Sequence, residues 1–222
     1  MRYEERTKKA RHLCMFITFE GLDFSGKSTQ VKLLSDRFSQ EDFNVIVLRE
    51  PGGTEIGEKI RKILLDKAST GMTDVSELFL FSASRSQLVE EVIKPALDGR
   101  MVVICDRYFD STTAYQGWAR GIPLETIRSV NQSASGGLVP RLTFFLDIPV
   151  SEVEKRFQRA KSNKDRMESN GKEFYEKARE GYLRIAKEEQ RFRVIDGTKN
   201  ADEIHEVIWK EVEKALADRT KT

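Results

Sequence analysis

Short apolar runs alternate with longer amphipathic stretches along most of the chain. Runs of this length, with few polar interruptions, are typical of strands that are buried on both faces of a parallel sheet. They predict five strands, at Leu13–Glu20, Asn44–Arg49, Met101–Asp106, Leu142–Asp147 and Phe192–Ile195. The stretches between them predict helices at Lys27–Phe38, Glu55–Asp66, Asp74–Asp98, Ser111–Trp118, Leu124–Ser135, Ser151–Ala160, Lys172–Gln190 and Ala201–Ala217. The pattern indicates an α/β fold of three layers, in which a parallel sheet of about five strands carries helices on both faces.

Two segments interrupt this pattern. Pro95 lies inside the third predicted helix, and a kink is expected there because proline lacks an N–H and clashes with the preceding turn. Residues 161–171 are polar and without periodicity, which predicts a surface loop between two helices and a candidate lid. The sequence contains neither an internal repeat nor a low-complexity linker, so we predict a single domain over residues 13–222.

Composition excludes several classes of protein. The chain has 222 residues, of which 39% are apolar, so it is long enough to bury a core. None of its apolar stretches approaches the roughly 18 residues of a membrane span. Cys14 and Cys105 are too few for a disulfide framework. Since both lie in apolar runs, we expect buried thiols and a reducing, cytoplasmic setting.

Positive charge is concentrated at the start of the chain. The formal net charge is +2, and residues 1–12 contain five basic and two acidic side chains. Such an extension can contact nucleic acid or a membrane surface. We expect instead a solvated extension, with no nucleic-acid or membrane partner. It does not predict a secretory signal, because the apolar run that follows is short and ends at Glu20 without a cleavage site.

A glycine-rich motif follows the first predicted strand. The sequence G-L-D-F-S-G-K-S from Gly21 to Ser28 fits G-x-x-x-x-G-K-[ST] and opens a predicted helix. Its curled backbone points N–H groups at phosphate oxygens, Lys27 adds a charge at the outer phosphates, and the Ser28 hydroxyl is placed to bind Mg²⁺. The predicted ATP-binding residues are Gly21, Leu22, Asp23, Phe24, Ser25, Gly26, Lys27, Ser28 and Thr29. By itself the motif indicates only that a nucleoside triphosphate binds.

Charged strand ends narrow the class of phosphate-loop protein. A switch GTPase carries Asn-Lys-x-Asp after a late strand, whereas the similar letters at 163–166 follow a helix. Arg-Glu-Pro-Gly-Gly at 49–53 and Asp-Arg-Tyr at 106–108 end the second and third strands. Both lie at the carboxyl edge of the sheet, where open α/β sheets bind ligands. They indicate phosphoryl transfer to a second, anionic substrate.

Four segments together resemble the thymidylate kinase family. They are the phosphate loop with Asp23 as its third residue, R-E-P-G-G-T at 49–54, F-S-A-S-R-S-Q at 81–87 running into V-I-K-P-A-L at 92–97, and D-R-Y followed by S-T-T-A-Y-Q-G within 106–117. The resemblance covers residues 15 to about 215. It implies a P-loop kinase fold, ATP-dependent phosphorylation of dTMP to dTDP with Mg²⁺, and commonly a homodimer.

The resemblance also implies roles for single residues. Arg107 would hold the acceptor phosphate. Asp106 would orient Arg107 or, with Ser28, hold Mg²⁺, and Asp23 would accept a hydrogen bond from the sugar 3′-OH. Phe81 would stack on thymine while Arg85 and Gln116 contact the base edge. The remaining predicted substrate-binding residues are Glu50, Ser111, Thr112 and Tyr115.

A further cation near the transferred phosphoryl group is expected to come from an arginine. One type of the family places an arginine in the phosphate loop, at the position of Phe24; the bacterial type places it in the lid. The lid region here offers Arg156, Arg159, Lys161 and Arg166. We predict Lys27, Arg107, Arg159 and Arg166 as catalytic, without a general base, since the acceptor is already an anion. The alternatives are a kinase for another nucleotide and an ATP-binding regulatory protein.

Overall fold

A parallel sheet forms the centre of the computed structural model, which describes residues 12–160 and 165–219. The strands are β1 (Met15–Glu20), β2 (Val45–Arg49), β3 (Val102–Asp106), β4 (Leu142–Asp147) and β5 (Phe192–Asp196). Their order across the sheet is β2-β3-β1-β4-β5. The order changes direction at β1, which pairs with β3 on one side and β4 on the other. A crevice therefore opens beyond the carboxyl end of β1, where ligands bind in sheets of this kind.

Helices cover both faces of this sheet. The α-helices are α1 (Lys27–Gln40), α2 (Glu55–Leu65), α3 (Asp74–Leu88), α4 (Lys94–Asp98), α5 (Phe109–Thr112), α6 (Leu124–Ser135), α7 (Val150–Ala160), α8 (Lys172–Glu188) and α9 (Ala201–Arg219). Side chains of β1 alternate between the faces. Ile17 and Phe19 pack with α1 and α9, whereas Phe16 packs with Leu88 and Val89 on the opposite face. The predicted three-layer α/β fold is confirmed.

The inner strands are buried along almost their whole length, whereas the edge strands are partly exposed. Val47 of β2 and Val194 of β5 are exposed large apolar residues. Helices cover both faces of the inner strands, which explains why the sequence of these strands is almost continuously apolar. The predicted strands and helices all occur, and their ends differ from the prediction by no more than two residues, apart from the helices interrupted by π-helical turns.

A π-helical turn, Val89–Ile93, joins α3 to α4 directly before Pro95. Proline at the start of α4 supplies no N–H and crowds the carbonyl one turn earlier. The wider π turn accommodates that defect, so the predicted long helix continues through Pro95 with a local change of pitch. A second π-helical turn, Thr113–Ala119, follows α5.

Two expectations need correction or limits. Cys105 is buried as predicted, but Cys14 is exposed, because the alternation that buries Leu13 and Met15 turns it outward. Neither cysteine lies in a disulfide. The predicted extension lies outside the described residues except for residue 12, as do residues 161–164 of the candidate lid. Within the described ranges, no helix has the length and apolar content of a membrane span.

Candidate active site

The phosphate loop curls between the end of β1 and the start of α1. Gly21 and Gly26 have φ angles of +142° and +100°, in the region that favours glycine. A Cβ on Gly21 would meet the Leu146 carbonyl oxygen at 2.6 Å. The two fixed glycines of the motif are therefore required by backbone conformation, and at Gly21 also by close approach to β4.

The Lys27 ammonium is folded back into the loop. Its Nζ donates to the carbonyl oxygens of Gly21 at 3.1 Å and Leu22 at 2.8 Å. Burial, together with the nearby charge of Arg107, lowers the pKa of Lys27 to about 8. The ammonium is thus held at the centre of the loop in a site that favours a negatively charged partner.

Ser28 and Asp106 converge at the carboxyl edge of the sheet. Ser28 Oγ donates to Asp106 Oδ2 at 2.9 Å, and Asp106 is level with Phe19 in the β1–β3 register. A hydroxyl and a carboxylate side by side are the oxygen ligands that Mg²⁺ prefers. The donor chemistry at this point fits the predicted metal pair.

Arg107 leaves β3 in a left-handed conformation, with a φ angle of 73°. Its Nη2 donates to Asp23 Oδ1 at 2.5 Å and its Nη1 to the Gly21 carbonyl at 3.0 Å. Burial opposes the ionisation of Asp23, but Arg107 and Lys27 hold its pKa below the usual value. The carboxylate that orients Arg107 is therefore Asp23, while Asp106 is hydrogen-bonded to Ser28.

One cavity joins the phosphate loop to the predicted nucleoside pocket. Its volume is about 580 Å³. Its lining includes the loop residues Asp23, Phe24, Gly26, Lys27, Ser28 and Thr29, and the acceptor-side residues Glu50, Phe81, Arg85, Arg107, Ser111, Thr112, Tyr115 and Gln116. The structure thus brings together, around one space, all the predicted substrate-binding residues and most of the predicted loop residues.

Arg85 is a buried cation of this cavity with several hydrogen-bond partners. Its side chain is 1% exposed and its Nε donates to Glu50 Oε2 at 2.8 Å. Its Nη2 donates to the Thr112 hydroxyl at 3.0 Å and its Nη1 to Asn131 at 3.3 Å. Burial raises the pKa of Glu50 despite the pairing with Arg85. These contacts fix the direction of the Arg85 guanidinium.

The predicted lid arginines have different surroundings. Arg156 donates from Nη1 to the Phe24 carbonyl at 3.2 Å and from Nη2 to the Gly197 carbonyl at 2.8 Å, and it lines the cavity. Arg159, one residue before the end of α7, is exposed. Arg166 instead binds Glu77 at 2.7 Å and the Leu64 carbonyl at 2.6 Å. Lys161 lies outside the described residues.

Phe24, which the motif alone did not explain, has a packing role. Its φ angle is 61° and its ring meets Phe157 of α7 edge to face, with 5.4 Å between ring centroids. With the Arg156 hydrogen bond to its carbonyl, this contact fastens α7, the helix that leads to the lid, to the phosphate loop.

Several residues of the site were missed from the sequence. Buried Glu20 accepts from Ser111 Oγ at 2.6 Å and from the Tyr182 hydroxyl at 2.8 Å. Burial and the charge of Asp110 raise the pKa of Glu20 to about 7. Arg61 lines the cavity and donates to the Pro51 carbonyl at 3.0 Å. Arg61 lies within the predicted helix Glu55–Asp66 and Glu20 at the end of the first predicted strand, and neither belongs to a motif that would mark it as a site residue.

Comparisons with known proteins agree with this geometry. The thymidylate kinase family model matches residues 19–208. A thymidylate kinase of Caldanaerobacter subterraneus subsp. tengcongensis is 48% identical over 90% of this chain and 96% of its own. One of a Sulfurihydrogenibium species is 50% identical over 87% and 94%. The crystal structure of the Ehrlichia chaffeensis thymidylate kinase superposes with a TM-score of 0.72 at 35% identity, covering 89% of this chain and 98% of that one.

A phosphate loop that shares one cavity with a cation-lined acceptor pocket defines a P-loop nucleoside monophosphate kinase. The family matches then make the assignment particular: the chain belongs to the thymidylate kinase family. It is accordingly a transferase that phosphorylates dTMP to dTDP with ATP as the phosphoryl donor.

Proposed function

We propose that this chain transfers the phosphoryl group between two sites set side by side, with Lys27 on the outer phosphates of ATP and Arg107 on the phosphate of dTMP. One observation carries the proposal: both cations donate to the same oxygen, the Gly21 carbonyl, at 3.1 and 3.0 Å. Two anions bound to these cations would lie next to each other. Since phosphoryl transfer needs mainly positioning and charge stabilisation, this arrangement supplies most of what the protein must provide.

The acceptor pocket selects the base by stacking and by hydrogen bonds. Phe81 lies over the thymine ring, Arg85 and Gln116 contact its edge, and Asp23 accepts from the 3′-OH. Glu50, Ser111, Thr112 and Tyr115 complete the wall. A site built to hydrogen-bond one base leaves its groups unpaired with another, so cytosine and purine nucleotides are disfavoured.

An ADP-release assay across the nucleoside monophosphates tests this assignment. dTMP should be the best substrate, and dUMP, which lacks one methyl group, should be poorer by about 1–3 kcal/mol. The same preparation without acceptor gives the ATPase background. A preference for dCMP or dGMP over dTMP would contradict the pocket described here.

Mg²⁺ would be held by Ser28 and Asp106 together with the triphosphate. When bound, the ion neutralises charge on the transferring and bridging oxygens. Asp106 fixes the position of the Ser28 hydroxyl, and the end of β3 fixes that of Asp106. An Asp106→Asn variant should bind Mg²⁺-ATP more weakly, which titration calorimetry with and without the metal would measure.

The candidate lid, residues 161–171 of a single domain over 13–222, would close over the triphosphate and exclude water. Of the two lid arginines predicted as catalytic, Arg159 is exposed near the end of α7, the helix that Phe24 and Arg156 fasten to the phosphate loop. Arg166 would have to leave Glu77 and the Leu64 carbonyl before reaching a phosphate.

We also propose that two copies of the chain associate through α2 and α3. Ile56 and Ile63 are seven residues apart on α2, and Val75 and Phe79 four apart on α3, so each pair shares a helix face. All four side chains are about half exposed, an apolar surface suited to a second copy. Light scattering should give a dimer and Phe79→Glu a monomer, whereas Val207→Glu, a matched change on α9, should remain dimeric. A monomeric wild type would refute this.

The reaction takes nucleotides as both substrates, and the two cysteines lie in no disulfide. Both facts support a cytoplasmic location. Fractionation of cells that contain the tagged chain, with the kinase activity followed, would test it.

A further inference from the structure

The carboxylate of Glu77 connects the nucleoside pocket to Arg166, in the described part of the candidate lid. Its side chain is 1% exposed. Oε1 accepts from Gln116 Nε2 at 2.8 Å, Oε2 lies 2.7 Å from Arg166 Nη1, and Arg120 donates to both oxygens at 3.2 Å. One buried group thus holds a residue of the cavity wall and two arginines.

The charge of Glu77 fixes the orientation of the Gln116 amide. Burial opposes ionisation, but hydrogen bonds from Arg120 and Gln116 keep the pKa of Glu77 below its usual value. An ionised carboxylate only accepts hydrogen bonds, so the amide must present its NH₂ group to it. The carbonyl oxygen, Oε1, is then directed away from Glu77, and Gln116 is part of the cavity wall.

The two pyrimidines differ in what they offer to such an oxygen. Thymine presents an N3–H donor beside the O4 acceptor, whereas cytosine presents an N3 acceptor beside the N4 amino donor. The Arg85 guanidinium only donates and suits O4. An amide oxygen suits N3–H, and an amide turned by 180° would offer an N–H to the cytosine N3 instead.

We propose that Glu77 is a positioning residue for base selection: it holds the Gln116 amide in the orientation that accepts from thymine and rejects cytosine. Arg166 and Arg120 are both paired with this carboxylate, so the loss of either one leaves it with a cationic partner. The inference rests on the proposed role of Gln116 at the base edge, and it assigns the selectivity to a residue behind the cavity wall.

A double-mutant cycle on selectivity tests this proposal. Glu77→Gln keeps the shape but can both donate and accept, so the Gln116 amide is free to turn. We expect the ratio of kcat/KM for dTMP over dCMP to fall by about tenfold, with the KM for ATP unchanged. In a Gln116→Leu background the same change should leave the ratio as it is, because the amide through which Glu77 acts is gone.

Arg120→Met is the matched control, since Arg120 contacts the same carboxylate but not Gln116. It should lower the thermal unfolding midpoint without moving the base ratio. If Glu77→Gln does not fold, Glu77→Asp, which keeps the charge but withdraws the carboxylate by one methylene, enters the same cycle with the same expectation. An unchanged base ratio in the single variant, or an undiminished effect in the Gln116→Leu background, overturns the proposal. A wild type that does not prefer dTMP would instead overturn the proposed function.

Discussion

The acceptor pocket and the donor side of the cavity are built differently. On the acceptor side, Arg85, Gln116 and Glu77 are buried; Gln116 donates to Glu77, and Arg85 donates to Glu50. On the donor side, Ser28 and Thr29 line the cavity and are exposed. The proposed acceptor pocket is therefore held by contacts within the protein, whereas the exposed residues of the proposed donor side leave room for ATP.

The two sides should differ in how far the residues needed for activity are also needed for stability. Arg85 in the acceptor pocket is paired with the buried Glu50, so removing it leaves a charge without a partner. Lys27 on the donor side is bound to backbone carbonyls, which have other hydrogen-bonding options. Substitutions on the two sides should thus separate into those that unfold the protein and those that only stop the reaction.

The largest effect on activity is expected for Lys27→Ala. It removes the charge at the outer phosphates, and turnover should fall below detection, by more than about 10³-fold. The free energy of unfolding in urea should stay within about 1 kcal/mol of wild type, since no core contact is lost. Near-normal turnover would contradict the proposed role of Lys27 at the outer phosphates of ATP.

Arg85→Leu should show the opposite division between activity and stability. It leaves the Glu50 carboxylate buried and unpaired, and the expected loss of unfolding free energy is about 3–5 kcal/mol. Chemical denaturation measures it. The double change Arg85→Leu with Glu50→Leu is the control and should regain most of the loss, although dTMP binding would not return. If the Arg85→Leu variant is as stable as wild type, Glu50 does not need the Arg85 charge for stability.

Arg159→Ala and Arg166→Ala should have different effects on kcat and KM, although both residues were predicted as catalytic. The first should lower kcat by about two orders of magnitude with little change in ATP affinity, as for a cation that acts in the transition state. The second should act mainly on the KM for dTMP, because Arg166 binds Glu77. Single-turnover kinetics and nucleotide titration separate these quantities. If the variant carrying both changes keeps most of its turnover, the cation comes from elsewhere, Arg107 included.

The smallest effect concerns pH. Burial and the charge of Arg107 lower the pKa of Lys27 to about 8. ATP prefers the protonated form, so its affinity should be complete below pH 8 and fall above it by up to tenfold per pH unit. Calorimetry between pH 7 and 9.5 measures this. Lys27→Arg, charged throughout, should give weaker binding with a flatter profile; identical slopes would exclude Lys27 as the titrating group.

The parts predicted well from the sequence are those determined locally. The phosphate loop needs glycines at fixed spacing between a strand and a helix, and each inner strand shows its burial in its own composition. Family resemblance extended this to Arg85 and Gln116. Both residues lie in segments that carry the resemblance, and both line the cavity.

Contacts between residues far apart along the chain could not be predicted from the sequence. Asp106 was expected either to orient Arg107 or to hold Mg²⁺, whereas the structure pairs Arg107 with Asp23 from the loop and Asp106 with Ser28. Arg166 lies in a polar segment without periodicity, and nothing in its surroundings along the chain points to Glu77 or to the Leu64 carbonyl. Phe24 shows the same limit, since its packing partner Phe157 comes from α7.

The single cavity of about 580 Å³ has a consequence for inhibitor chemistry. A molecule with a purine nucleoside at one end and thymidine at the other, joined by a phosphate chain, would engage both halves as one ligand. Its second end would bind at an effective concentration set by the short linker, in the millimolar range or above. Its affinity should therefore far exceed that of either nucleotide alone, and shortening the chain by one phosphate should lose most of the gain.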